Sequence, residues 1–174
     1  MEIVNFFEKM AGRWFSQRTT HALSTQQSKA GKSDLEIEFL APEAEAVQQL
    51  WQDSDSDAEP LCGLSIQQSS TIEGDSKPKV STTLLVPLTA EAASSGHILR
   101  SGATTTGSYQ IEDEVLTIQS ETDEAHSVER MWFINDNLRM RTGIVDLKSG
   151  PQSGLRIASF CSEIRLGVKP PKAD

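Results

Sequence analysis

Short apolar runs separated by turn residues recur along most of this chain, and this pattern limits its fold more than any other feature. Leu35, Ile37 and Phe39 alternate with glutamates, as in a strand with one buried face. Further strand-like runs, broken by Gly, Asn, Asp and Pro, lie at 13–20, 64–72, 80–88, 97–101, 104–110, 114–120, 127–134, 138–145 and 155–166. Many short strands and few helices are typical of an antiparallel sandwich or barrel. We therefore predict an all-β fold.

Two short segments have helical spacing instead. The first predicted helix, residues 1–10, has its large apolar side chains on one face. The second, predicted over 42–52, begins with a proline, which the first turn of a helix tolerates. We predict a turn at the Ala-Gly-Lys-Ser sequence of 30–33 and a tail at the proline-containing residues 169–174. The length suits one domain, so we expect a single barrel over 1–174 with one to three short helices.

Charge and cysteine content exclude several classes of function. With 25 acidic and 16 basic residues the net charge is −9, which disfavours nucleic acid and anionic membranes as partners. Cys62 and Cys161 lie far apart with no neighbouring Cys or His, so we predict reduced thiols in a cytoplasmic protein. The acidic segment 53–60 lacks the spacing of a calcium loop, and no metal site is predicted. The N-terminus resembles neither a signal peptide nor a membrane span.

A predicted hairpin around the Asn-Asp-Asn sequence at 135–137 contains the most informative polar residues. If these three residues form the loop, Phe133 lies opposite Arg139 and Met131 lies opposite Arg141. The two-residue period of a strand puts Trp132 and Met140 on one face. On the other face it places Glu129, Met131, Phe133, Arg139 and Arg141.

This mixed face has two interpretations. It is an ordinary solvent-exposed face, with a weak ion pair between Glu129 and Arg141, or it is the wall of a cavity that binds an amphipathic anion. Arginine suits the second role because its planar fork can bind a carboxylate through two hydrogen bonds. Arg18 and His21, on the first predicted strand, have the same ambiguity. The chain contains no GxSxG, P-loop, HExxH or GxGxxG motif, so the residues alone identify no catalytic centre.

Three stretches of the sequence resemble the S/U-type phycobiliprotein (bilin) lyases, a family also described as CpcS/CpeS-like. The first is Ala11–His21 with Gln27-Ser28 and Gly31-Lys32-Ser33, and the second combines Glu129–Phe133 with Asn137–Thr142. The third is Ala158–Arg165, and the stretches occur in the same order as in the family. The resemblance implies a lipocalin-like or fatty-acid-binding-protein-like antiparallel barrel of about ten strands.

The resemblance also implies a function. Such proteins bind a phycobilin, a linear tetrapyrrole, and attach it by a thioether to a cysteine of a phycobiliprotein subunit of the cyanobacterial phycobilisome. The bilin, here expected to be phycocyanobilin-like, is then a substrate, and no cofactor is permanently bound. The nucleophilic cysteine belongs to the acceptor subunit, so neither Cys62 nor Cys161 need be catalytic.

Transferred to this sequence, the resemblance implies roles for particular residues. Glu129, Arg139 and Arg141 are the predicted catalytic residues. The two arginines would hold propionate or contact the tetrapyrrole, and Glu129 would hydrogen-bond pyrrole nitrogens or transfer a proton. The further predicted ligand-binding residues are Arg18, His21, Trp132, Met131 and Phe133. A paralogous lyase subunit or a second copy is an expected partner, because some family members act as half of a heteromeric enzyme. Two alternatives stay open: a non-catalytic carrier of a bilin or another amphipathic acid, and an interaction module with a filled barrel.

Overall fold

Ten antiparallel strands form a closed barrel in this computed structural model, which describes residues 1–103 and 105–167. The predicted all-β barrel is confirmed. The predicted tail at 169–174 lies outside the described residues, as does residue 104, the predicted start of one strand. Around the barrel the strands follow the order β1-β10-β9-β8-β7-β6-β5-β4-β3-β2. Their bounds are β1 Gly12–Ala22, β2 Gln27–Leu40, β3 Gly63–Ile72, β4 Lys79–Pro87, β5 Ser95–Arg100, β6 Gly107–Glu112, β7 Val115–Glu121, β8 Ala125–Asn135, β9 Leu138–Leu147 and β10 Arg156–Arg165.

The turn predicted at 30–33 is wrong, because these residues lie inside β2. Lys32 pairs with Gln17 of β1 on one side and with Thr71 of β3 on the other. The chain reverses earlier, at 23–26, where Gln26 has a positive φ of 54°. Pairing on both edges therefore overrides the local turn preference of the Ala-Gly-Lys-Ser sequence.

The first helix, α1 (Ile3–Met10), closes one end of the barrel. Its four buried side chains belong to the same core cluster as Trp14 of β1, and they are Ile3, Phe6, Phe7 and Met10. Trp14 Nε1 donates a hydrogen bond of 2.8 Å to the Met10 carbonyl, and Arg165 donates to the carbonyls of Lys9 and Ala11. Gly12, with a φ of +130°, makes the sharp change of direction from helix to strand that a side chain would resist. The helix is therefore tied to the barrel rather than loosely attached.

The second helix, α2 (Glu45–Gln52), packs on the outside of the wall. It begins three residues later than predicted from Pro42, and its buried Val47 contacts the cluster of Val86, Leu88 and Leu99 on β4, its continuation and β5. The residues that precede Val86 and Leu99 in these strands, Leu85 and Ile98, face the interior. Helix α2 therefore packs on the outer side of the wall and does not enter the barrel. Neither helix in the described part of the chain is long and apolar enough to cross a membrane.

Candidate functional site

A cavity of about 230 Å³ lies inside the barrel above α1. Phe7 and Met10 of the helix form part of its surface, and the strands supply both apolar and charged side chains. Three arginines and one glutamate are among the residues contributed by the strands: Arg18, Ile66, Gln68, Thr83, Leu85, Arg100, Leu116, Ile118, Glu129, Met131 and Arg141. The lining thus has an excess of positive charge in a chain whose net charge is −9.

The hairpin of β8 and β9 has the strand register predicted from the sequence. Met131 pairs with Arg141 and Phe133 pairs with Arg139, and Glu129, Met131 and Arg141 line the cavity. The predicted three-residue loop is wrong, however, because Asn135 pairs with Leu138 and the register shifts between Phe133 and Asn135. A bulge at this shift compensates for the shorter loop, so the inward face keeps its predicted residues.

Five charged side chains form a connected series inside the barrel, which we call the inner charge network. Arg100 Nη2 lies 2.5 Å from Glu129 Oε2, and Glu129 Oε1 lies 4.0 Å from Arg141 Nη1. Arg141 Nη2 lies 3.2 Å from Glu163 Oε1, and Arg139 Nε donates to Glu163 Oε2 at 2.5 Å. The network joins β5, β8, β9 and β10, and it alternates positive and negative groups throughout.

Arg139 and Glu163 form the buried end of the network. Arg139 is 1% exposed and Glu163 0%, and the Arg139 guanidinium carbon lies 4.5 Å from the centre of the Trp14 ring. Burial lowers the pKa of Arg139. Burial alone would raise the pKa of Glu163, but the positive charges of Arg141 and Arg139 outweigh it and the pKa is lowered. Glu163 is therefore ionised at neutral pH. The pair lies beneath the cavity, because neither residue lines it.

Arg141 connects this buried pair to the cavity. Its side chain is 22% exposed. Burial alone would lower its pKa, but the negative charges of Glu163 and Glu129 raise the pKa overall. Its Nε is buried and has no hydrogen-bond partner among residues 1–103 and 105–167. The described residues therefore leave part of the donor capacity of Arg141 unfilled.

The other predicted ligand-binding residues divide between the two sides of the wall. Arg18 lines the cavity, whereas His21 is exposed and, three residues further along β1, lies on the opposite face. Trp132 is half-buried and lies on the outer face beside inward-facing Met131. Neither His21 nor Trp132 is therefore part of the cavity lining, and the predicted hairpin register already placed Trp132 on the face opposite Glu129 and Arg141. Phe133 faces inward, but it packs on the ring of Phe6 at 5.3 Å and does not reach the lining.

Sequence reasoning missed two members of the inner charge network. Arg100 ends a strand of six residues, too short for alternation to fix which of its faces is inward. Glu163 lies in the third family-like stretch, and its alternation with buried Cys161 places it on the inner face. Its partner Arg139 lies on another strand, so no local sequence pattern indicates the pairing. In the described part of the chain no group of three or more His, Cys, Asp or Glu side chains could hold a metal ion.

Comparisons with known proteins agree with this architecture. The sequence profile of a family described as CpeS-like protein matches residues 2–166. A protein of Thermosynechococcus vestitus named chromophore lyase CpcS/CpeS is 40% identical, with 98% of this chain and 96% of that protein covered. The phycocyanobilin lyase subunit CpcS of a Picosynechococcus species is 29% identical, with 95% and 86% covered. The structure of the S-type phycobiliprotein lyase CpeS from Guillardia theta superposes with a TM-score of 0.86 at 25% identity, covering 97% of this chain and 95% of that one.

Proposed function

This chain belongs to the CpeS-like protein family, and we propose that it is a phycobiliprotein chromophore lyase that binds a phycobilin in its barrel. The observation that carries this proposal is the cavity lining, which combines apolar side chains with three arginines and one glutamate. A bilin has the complementary chemistry, because it is a conjugated apolar chain that bears propionates. The product of the proposed lyase reaction is a thioether between the bilin and a cysteine of a phycobiliprotein subunit.

For this reaction the chain has to position the bilin, and it does not have to supply the nucleophile. The acceptor's thiol adds across the ethylidene double bond of the bilin: a carbon–sulfur bond forms and the thiol proton ends on the tetrapyrrole. No oxidant or leaving group is required. The chain's own thiols are unsuited to this attack, since Cys62 and Cys161 are both buried. Burial, with a contribution from Glu8, raises the pKa of Cys62 to about 12.

The charged residues of the cavity have distinct parts in this proposal. Arg141, with its unused Nε among the described residues, binds a propionate, and Arg18 supplies further positive charge at the lining. Glu129 accepts hydrogen bonds from pyrrole N–H groups while Arg100 and Arg141 keep it in place. Arg139 acts indirectly, because it holds Glu163 and through it Arg141.

The size of the cavity suggests how the acceptor reaches the bound bilin. A cavity of about 230 Å³ is smaller than the ~300–1,000 Å³ typical of sites for drug-sized ligands. A tetrapyrrole held by its propionates therefore extends beyond the enclosed part of the barrel. We propose that the ring with the ethylidene group is the part that projects, which exposes it to the acceptor's cysteine.

We propose two protein partners. The first is the phycobiliprotein subunit that accepts the chromophore, and the second is a paralogous lyase subunit or a second copy of this chain. A relative's name, phycocyanobilin lyase subunit, supports a role within a heteromeric enzyme. We further propose that the protein works in the cytoplasm, because both cysteines are free thiols and disulfides are rare in that compartment.

Co-expression tests the proposed function. The chain is produced with the enzymes of phycocyanobilin synthesis and a candidate acceptor, with and without a paralogous lyase, and the acceptor is examined on denaturing gels. Covalent colour that requires this chain supports a lyase or lyase subunit. The control is an acceptor whose cysteine is replaced by alanine, which should stay colourless. Colour that always separates from the acceptor would instead identify a bilin carrier.

A further inference from the structure

Arg100 joins two distant parts of the barrel wall through its side chain. It is the last residue of β5, where it pairs with Leu85 of β4. Its guanidinium reaches Glu129 on β8, although β6 and β7 lie between these strands in the barrel order. The ion pair therefore spans the interior instead of linking neighbours on one sheet face. Both side chains are about one-third exposed, at 33% and 31%, so the pair borders the open cavity.

We propose that Arg100 is a positioning residue that fixes the carboxylate of Glu129 toward the bound chromophore, an inference that rests on the proposed function. Arg100 Nη2 lies 2.5 Å from Glu129 Oε2, whereas Arg141 Nη1 lies 4.0 Å from Oε1. The shorter contact has hydrogen-bond geometry and the longer one does not. Arg100 therefore sets the orientation of the carboxylate, and Oε1 is left available to pyrrole N–H groups.

Glu129 depends on Arg100 for its position more than Arg141 depends on Glu129. Without Glu129, Arg141 would keep its 3.2 Å contact with Glu163. Without Arg100, Glu129 would keep only the 4.0 Å contact with Arg141. Because the Arg100–Glu129 pair is partly solvated, its loss has a small effect on the stability of the fold. Removal of Arg100 therefore releases the Glu129 carboxylate while the rest of the inner charge network stays in place.

A double-mutant cycle in the intact protein tests this role. Arg100→Gln, Arg100→Lys, Glu129→Gln and the Arg100→Gln/Glu129→Gln double variant are compared for phycocyanobilin affinity, bound-state absorption and rate of transfer to the acceptor. We expect Arg100→Gln to slow transfer by about tenfold and shift the absorption, with less than about a threefold change in Kd. The double variant should be no slower than Glu129→Gln, because residues that act through one group are not additive. Arg100→Lys should recover part of the rate.

Arg130→Gln is the matched control, since Arg130 is an exposed arginine on β8 directly beside Glu129. It should transfer bilin at the wild-type rate. Wild-type transfer and absorption in Arg100→Gln would overturn the positioning role. Additive losses in the double variant would overturn it as well, because they would mean that Arg100 acts independently of Glu129. A wild-type chain that binds no bilin would overturn the proposed function itself, a result distinct from failure of Arg100→Gln alone.

Discussion

Arg141 is the residue through which the buried part of the inner charge network reaches the cavity. Its Nε has no partner within the described residues, and its guanidinium borders the cavity, where we expect it to donate to a bound carboxylate. A hydrogen bond to a charged group contributes about 1.5–3 kcal/mol, so Arg141→Ala should weaken phycocyanobilin binding by roughly ten- to a hundredfold. Titration of the bilin absorption measures this change. Arg130→Ala, which removes an arginine from the outer face, should bind like the wild type, and equal losses in both variants would argue against a specific contact.

We expect Glu163 to contribute more to the stability of the fold than to the binding of the bilin. Glu163→Gln leaves fully buried Arg139 without its nearest carboxylate, and breaking a buried pair in this way costs about 3–5 kcal/mol. Denaturant unfolding at neutral pH measures this loss. Arg139, which the resemblance implies holds a propionate, is covered by Trp14 and Glu163, and we propose an indirect role for it.

The same pair predicts a particular dependence on pH. Because the folded-state pKa of Glu163 lies below the ordinary value of 4.5, its contribution is complete above that value. The contribution is lost as the pH falls through the lowered pKa. The difference in unfolding free energy between wild type and Glu163→Gln should therefore shrink in acid. A difference that stays constant from neutral pH into strong acid would show that the Glu163 charge does not stabilise the fold.

At the level of residues, alternation predicted the inward face of β8 but not every contact. Glu129, Met131 and Arg141 follow the two-residue period into the cavity. Arg100 and Glu163 depend on partners brought together by barrel closure, which no local pattern encodes. Arg18 and His21 lie three residues apart on one strand, so only one of them can face the cavity.

Among the elements, α1 has the clearest structural effect because it closes the barrel. Phe6 is fully buried and its ring packs on Phe133 at 5.3 Å. Phe6→Ala should lower the free energy of unfolding by about 3–5 kcal/mol, the usual cost of truncating a buried aromatic side chain to alanine. Urea denaturation measures the loss. Phe160→Ala is the control, because that side chain is 46% exposed on the outer wall and should change stability by less than about 0.5 kcal/mol. Similar losses in both variants would contradict a closing role for α1.

Strand positions were predictable from the apolar runs, whereas the turn predicted at 30–33 was not found. The run at 64–72 matches β3 to within one residue. The turn expected at 30–33 failed because β2 pairs with strands on both sides there. The bulge near Ile134 was also missed, since a bulge is recognised from the backbone pairing and not from residue type.

At the scale of the whole molecule, an acidic protein encloses a cationic interior. The net charge is −9, yet three arginines and one glutamate line the cavity. Such an arrangement favours an anionic ligand inside and disfavours anionic partners outside. Apolar runs and turn residues indicate the all-β fold class, and the family resemblance implies a barrel of about ten strands, whereas the inner charge network depends on closure of that barrel.

Transfer of phycocyanobilin in a purified system tests the central claim most directly. The chain, with its paralogue if co-expression shows that one is needed, is mixed with the acceptor and either the free bilin or its dimethyl ester. Denaturing gels then measure covalent colour on the acceptor. We expect attachment of the free acid that requires this chain, and at least about tenfold less attachment of the ester, because its propionates are neutral. Equal attachment of acid and ester would contradict recognition by the cavity arginines, and no chain-dependent attachment of either would contradict the assignment as a chromophore lyase.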